Sequence, residues 1–205
     1  MRADFGLRLR FTRFSFVVHS MPILAKEHDL FPEQLLDEVA PIETLPPWWG
    51  LYTLPRREKE LMRRLRAMGI GFYSPLVERR TKSPGGRVRK SYVPLFAGYV
   101  FMRGEDDARR QALTTNCISR TLTVPDGQGL TADLRQIRRL ILANMPLTPE
   151  ARIQPGTPVR VRGGPLAGVE GVVIRRQNKE RLLVAVRFLQ QGASLVLEDF
   201  QVEEI

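Results

Sequence analysis

Cysteine and histidine are nearly missing from this chain, which has one cysteine, Cys117, and two histidines, His19 and His28, in 205 residues. A lone cysteine excludes an internal disulfide framework and a multi-cysteine metal site. Two histidines, both near the N-terminus, leave almost no material for zinc or Ser-His chemistry, and no cluster of acid, base and nucleophile appears in the sequence. Cys117 by itself reads as a small buried hydrophobe. The expectation is a protein with no catalytic residue, no metal and no cofactor. Long apolar runs are missing as well, so nothing in the sequence can cross a bilayer as a helix. Phe14 to Val18 is short, is broken by Ser15 and lacks a small-residue cleavage site, so it does not read as a secretory signal. A cytoplasmic protein with no membrane partner is expected.

What the chain has in excess is positive charge. Lys and Arg total 32 against 22 acidic residues, a net charge of +10. Such an excess raises the potential toward polyanions and suggests a nucleic-acid or ribonucleoprotein partner, while leaving the fold open. The alternative is a merely soluble basic protein. Hydrophobic residues make up 43%, ordinary for a globular chain, and the length allows one larger domain plus a small one.

Residues 1–47 differ from the rest. Arg2, Arg8, Arg10 and Arg13 crowd the first part, and Glu27, Asp29, Glu33, Asp37, Glu38 and Glu43 follow. We read a flexible extension whose first twenty residues are either a basic arm or upstream sequence before a start at Met21. A helix is expected over Phe31 to Val39, with Pro32 in its first turn. A compact α+β domain is expected over 48–144. Trp48 to Leu54 is β-rich, and Arg57 to Met68 has helical periodicity through Leu61, Leu65 and Met68 before Gly69. Further strands are expected over Ile70 to Val77, Tyr92 to Leu95, Gly98 to Met102 and Ile118 to Val124. Arg79 to Lys90, with Pro84-Gly85-Gly86 at its tip, reads as a charged loop. Short and long helices are expected at Asp106 to Ala112 and after Thr131, the latter with Leu134, Ile137, Ile141 and Leu142 on one face. Three prolines mark 145–155 as a linker.

The last part, 156–205, reads as a small all-β barrel. Val159 and Val161 alternate with Arg160 and Arg162, Gly163-Gly164-Pro165 turns the chain, and Gly168 and Gly171 flank the start of a second strand. At each of those last two glycines the backbone needs either positive φ or close approach of another strand. Val172 to Ile174, the alternating Leu182 to Phe188, Ser194 to Leu197, and Phe200 with Val202 supply the remaining β-rich runs.

The stretch from Gly156 to Val172 resembles the KOW motif of ribosomal proteins and of the NusG family of transcription factors. Trp49-Gly50-Leu51-Tyr52, Glu58-Lys59, and Val93-Pro94-Leu95-Phe96-Ala97-Gly98-Tyr99-Val100-Phe101 resemble the NusG N-terminal domain. Together the two motifs cover Trp48 to Ile205, in the family's order. The resemblance implies an antiparallel sheet flanked by helices, then an SH3-like KOW barrel. It implies an elongation factor, not an enzyme, that binds bacterial RNA polymerase through an apolar pocket for the clamp helices. The residues matching that pocket are Phe96, Gly98 and Tyr99, with Tyr52 on the neighbouring strand; the competing reading is that Tyr52, Tyr99 and Phe101 fill the core. Ala97 stands where the family usually has proline.

Ala112 to Asn116 resembles the His-Thr-Thr segment with which RfaH-like specialised paralogues reach the polymerase gate loop, which would make Thr114 and Thr115 a second contact. Arg79, Arg80, Lys82, Arg87, Arg89 and Lys90 are the first candidates for upstream or non-template DNA, because phosphate contacts need cations and no sequence reading. Arg109, Arg110, Arg135, Arg138 and Arg139 are further basic groups. In the KOW unit Pro165, Leu166 and Gly168 match the loop that meets a ribosomal protein or a termination factor, although Leu166 replaces a common aromatic. The leading expectation is a monomeric, specialised factor that suppresses pausing or termination. The alternatives are a housekeeping NusG-type factor that also assists termination, and a ribosome-associated KOW protein. The valine-rich, glycine-broken pattern favours strands in the second unit of the free protein.

Overall fold

The chain is described by a computed structural model over residues 26–37, 45–197 and 201–205. Met21 and the basic arm lie outside the described residues. In chain order the elements are β1 (Leu30–Phe31), β2 (Trp48–Thr53), α1 (Glu58–Ala67), β3 (Gly71–Tyr73), β4 (Leu76–Lys82), β5 (Val88–Pro94), β6 (Tyr99–Arg103), α2 (Asp106–Leu113), β7 (Ile118–Thr123) and α3 (Gly127–Leu142). After them come β8 (Thr148–Glu150), β9 (Thr157–Val161), β10 (Glu170–Arg176), β11 (Lys179–Val186), β12 (Gln191–Val196) and β13 (Val202–Glu204).

The first unit is an antiparallel sheet of order β1-β3-β6-β2-β7. Alternation along the strands sends Leu51, Phe72, Val100 and Met102 to one face, where they meet Leu61, Met62 and Leu65 of α1. Trp48, Tyr73 and Phe101 go to the other face, with Leu130, Leu134, Ile137 and Leu140 of α3. α1 forms where apolar residues recur at helical spacing, with Glu58 and Glu60 in its first turn and Arg64 and Arg66 in its last, each end complementing the helix dipole. It stops at Gly69, whose φ of +70° a side chain would strain. Burying Leu61 and Leu65 completely contributes about 2 kcal/mol each.

Several expectations need correction. Residues 33–37 form turns after β1, so no helix starts at Phe31; the end of that expected helix lies outside the described residues. The charged loop over Arg79 to Lys90 is a β-ribbon, β4 paired with β5 from Leu76↔Pro94 to Lys82↔Val88. α3 begins four residues before Thr131, capped by Asp126, whose carboxylate accepts the Gly129 N–H at 2.7 Å. The Thr131 hydroxyl instead donates to the Gly127 carbonyl and accepts from the Trp48 indole. The buried row of α3 is Leu130, Leu134, Ile137 and Leu140, while Leu142 is 71% exposed.

The second unit is all-β. Its hydrogen-bonded order, β13-β9-β10-β11-β12-β8, leaves β13 and β8 as edges among the described residues and does not close on itself. The glycines resolve the two options open to them. Gly168 takes φ of +78°, whereas Gly171 sits under the Leu183 carbonyl, where any side chain would collide. β8 falls within the segment read as a linker. Pro149 is compatible with a strand there because β8 is an edge. Buried Glu150 fastens it, accepting from the Ser194 hydroxyl at 2.7 Å and from Arg176 at 2.7 Å. Arg181 in turn donates to Ser194 and Thr148.

Candidate functional site

Strand direction gathers the candidate residues at one end of the first sheet. β2 runs antiparallel to both β6 and β7, so the C-terminal end of β2 lies beside the N-terminal ends of its neighbours. Tyr52 therefore pairs directly with Tyr99, and Thr53 with Ile118. The segment 114–117 enters β7 from the same end, where the Leu54 N–H donates to the Cys117 carbonyl at 2.8 Å. β3 also runs toward that end, since Gly71 pairs with Arg103 and Tyr73 with Phe101, the Ser74 hydroxyl donates to the Tyr99 carbonyl, and three residues after Tyr73 the chain enters β4. Thus the tyrosine pair, the threonine segment and the root of the basic ribbon share one end.

At the centre of that end Tyr52 and Tyr99 meet edge to face, with ring centroids 5.1 Å apart. Tyr52 is 37% exposed, and the Arg120 guanidinium lies 5.1 Å from its ring centroid. Gly98 makes this packing possible. Its φ is +81°, and a Cβ there would approach Tyr52 Cε2 to 3.1 Å. Its N–H donates to Glu58 at 2.8 Å and its carbonyl accepts from Thr53, so the first turn of α1 braces the bend before β6.

Two of the expected contact residues are not at the surface. Phe96 is 2% exposed and packs edge to face on Phe101 at 6.3 Å. It offers no face to a partner in this conformation, because the chain turns inward before Gly98. Thr115 is also 2% exposed, with its hydroxyl donating to the Ala112 carbonyl. Thr114 is exposed as the C-cap of α2, and its hydroxyl donates to the Gln111 carbonyl. Cys117 is buried among apolar side chains.

The ribbon carries its six cations on exposed residues. Glu78 binds Arg80 at 2.6 Å and Lys90 at 3.6 Å, and the hydrogen bond from Arg80 holds its carboxyl below the usual carboxylate range. Among the second-unit candidates, Pro165 and Gly168 are exposed and Leu166 is fully buried. That loop is not free, because Arg139 of α3 donates to the Ala167 carbonyl.

The family model described as "NusG: Transcription termination factor nusG" matches residues 46–146, about half of the chain. The chain belongs to the NusG family through this domain. The matched span holds β2 through α3, and with them the tyrosine pair, the ribbon and Thr114. NusG-family proteins are transcription elongation and termination factors, not enzymes. No curated protein matches the chain. Among the described residues no helix is long and apolar enough to cross a membrane.

A feature that sequence reading missed joins the NusG-family domain to the second unit. Asp133, 5% exposed on the apolar row of α3, accepts the Arg187 backbone N–H at 2.9 Å and the Arg187 guanidinium at 2.9 Å, which raises the pKa of that guanidinium. Beside it Phe188 covers Gly50, where a Cβ would meet its ring at 2.8 Å. The signal was available: an acidic residue between Leu130 and Leu134 on a helix face requires a cationic or N–H partner. Arg120 was also missed, since nothing in the sequence places it over Tyr52.

Proposed function

We propose that this NusG-family chain binds RNA polymerase through the Tyr52–Tyr99 end of its first sheet and suppresses pausing and termination. The observation that carries this reading is the convergence, within the family-matched span, of a partly exposed aromatic pair, a threonine-bearing turn and a basic ribbon at one end of one sheet. Tyr52, Tyr99 and Gly98 form the docking surface for the clamp helices, with Arg120 at its edge. A few partly exposed aromatics can supply most of an interface's free energy, about 2 kcal/mol each. Phe96 holds the turn from inside and does not itself touch the partner. Thr114 is the second contact, toward the gate loop, with Thr115 fixing the turn beneath it. Bridging both sides of the channel favours its closed state, and differential contact with that state shifts the population away from pausing.

In the same proposal the ribbon faces upstream or non-template DNA. The second unit is a KOW-type module whose Pro165–Gly168 loop serves a ribosomal protein. The buried Leu166, in place of an exposed aromatic, argues against a termination factor on that loop. A housekeeping role that also assists termination is the second reading, favoured by the family description itself.

Single-round transcription by the cognate polymerase tests the proposal. Wild-type protein should shorten pauses and raise read-through, and Tyr52→Ala should abolish both effects at the same concentration. Increased termination by the wild type would move the reading to the housekeeping role, and no effect on elongation would overturn it.

A further inference from the structure

The β4–β5 ribbon has two chemically different faces. Residues directly opposite in an antiparallel pair point to the same side, and successive pairs alternate. The register puts Arg79 with Ser91 and Thr81 with Arg89 on one side; on the other are Glu78 with Tyr92, Arg80 with Lys90, and Lys82 with Val88. Glu78 binds Arg80 and Lys90, so two of the three cations on its side are already paired. No carboxylate among the described residues pairs with Arg79, Arg89 or the tip residue Arg87. Beyond Val77 and Val93 both sides of the ribbon are exposed apart from the partly buried Tyr92, so the ribbon has little core of its own. A lone two-stranded hairpin is marginal in water. Retaining one with a row of unopposed guanidinium groups makes sense where a polyanion covers it.

We infer that the Arg79–Arg89 face of the ribbon lies along the phosphates of double-stranded DNA, while the Glu78 face points away. This rests on the reading above that the ribbon meets nucleic acid, and adds which face and which nucleic acid. The B-form major groove, about 12 Å wide, admits a two-stranded ribbon, whereas the A-form RNA major groove is too narrow. The arginine face also lacks a stacking platform. Binding of single strands relies on aromatic side chains, and the one aromatic of the ribbon, Tyr92, is on the Glu78 face. The Thr81 hydroxyl, on the arginine face, is a suitable phosphate donor, while the Ser91 hydroxyl donates to the Arg79 carbonyl at 3.4 Å.

The test uses the full chain and fluorescence anisotropy with a 20-base-pair DNA duplex of mixed sequence, its separate strand, and the matching RNA duplex, across about 50 to 200 mM salt. Two variants of equal charge loss are compared, Arg79→Gln/Arg89→Gln and Arg80→Gln/Lys90→Gln. Losing two phosphate contacts lowers the slope of log affinity against log salt by about 1.8, so the salt-induced loss of affinity over that range shrinks about 12-fold. That change is expected for the Arg79/Arg89 variant, with a smaller one for its counterpart, and the DNA duplex should bind tightest of the three probes. Equal effects of the two variants would overturn the choice of face and leave the ribbon as a nucleic-acid element. Tighter binding of the single strand or RNA duplex would overturn the DNA assignment. Unchanged binding by both variants would overturn the underlying reading of the ribbon.

Discussion

Removing the Asp133 carboxylate should loosen the second unit from α3, and the geometry sets the size of the effect. In Asp133→Ala the Arg187 N–H loses its acceptor, a loss of about 1 kcal/mol, and the guanidinium loses a charge-assisted pair. The Arg187 side chain is 64% exposed, so water replaces much of that pair and it contributes about 1 kcal/mol more. The total of about 2 kcal/mol corresponds to a roughly 30-fold shift in the equilibrium between docked and undocked units. Hydrogen exchange in the full chain reads this directly, because undocking exposes residues 187–190 and the outer face of α3. Exchange there should rise about 30-fold while β2 and β6 are unchanged. Arg187→Ala should have a smaller effect, since it keeps the backbone N–H. Equal effects of the two variants, or no change in exchange at 187–190, would refute this account of the clasp.

Gly98→Ala should destabilise the first unit by about 1–2 kcal/mol, because φ is +81° and the new methyl meets the Tyr52 ring; thermal unfolding measures it, and an unchanged midpoint would count against the packing described. Glu150→Ala should cost about 2 kcal/mol by leaving the buried Ser194 hydroxyl proton without an acceptor and freeing β8, and should speed proteolytic cleavage over residues 143–156. Burial, with a smaller contribution from Asp29, pushes the Tyr73 phenol well above its ordinary value. A group whose folded pKa is raised stabilises fully below its unfolded value and loses that contribution as pH rises above about 10. An ultraviolet titration should therefore show Tyr73 ionising only as the protein unfolds in alkali; normal ionisation in the folded state would contradict its burial.

How much of this could be read from residues depended on whether the signal was local. α1 and α2 and the strands β2, β6 and β7 follow from periodicity and their terminal glycines or acids. The ribbon was hidden because strands are recognised by alternating apolar residues, and here the alternation is among Arg, Lys, Thr and Ser. β8 was hidden by Pro149, which reads as a linker unless the strand is known to be an edge. Phe96 illustrates a different limit: a motif places a residue near a surface, while burial depends on which way the turn at Gly98 brings the ring. The union of the two units was half legible: Asp133 on the apolar side of a helix signals a buried partner, but only tertiary packing selects Arg187 as that partner.

In the proposed function the tyrosine end of the first sheet docks RNA polymerase. The most direct test of that docking is equilibrium binding of the full chain to purified cognate core polymerase, for wild type and Tyr52→Ala, with thermal unfolding confirming that both are folded. The account predicts that the wild type binds and that Tyr52→Ala, losing about 2 kcal/mol, binds roughly 30-fold more weakly. No binding by the wild type, or equal binding by the folded variant, would contradict it.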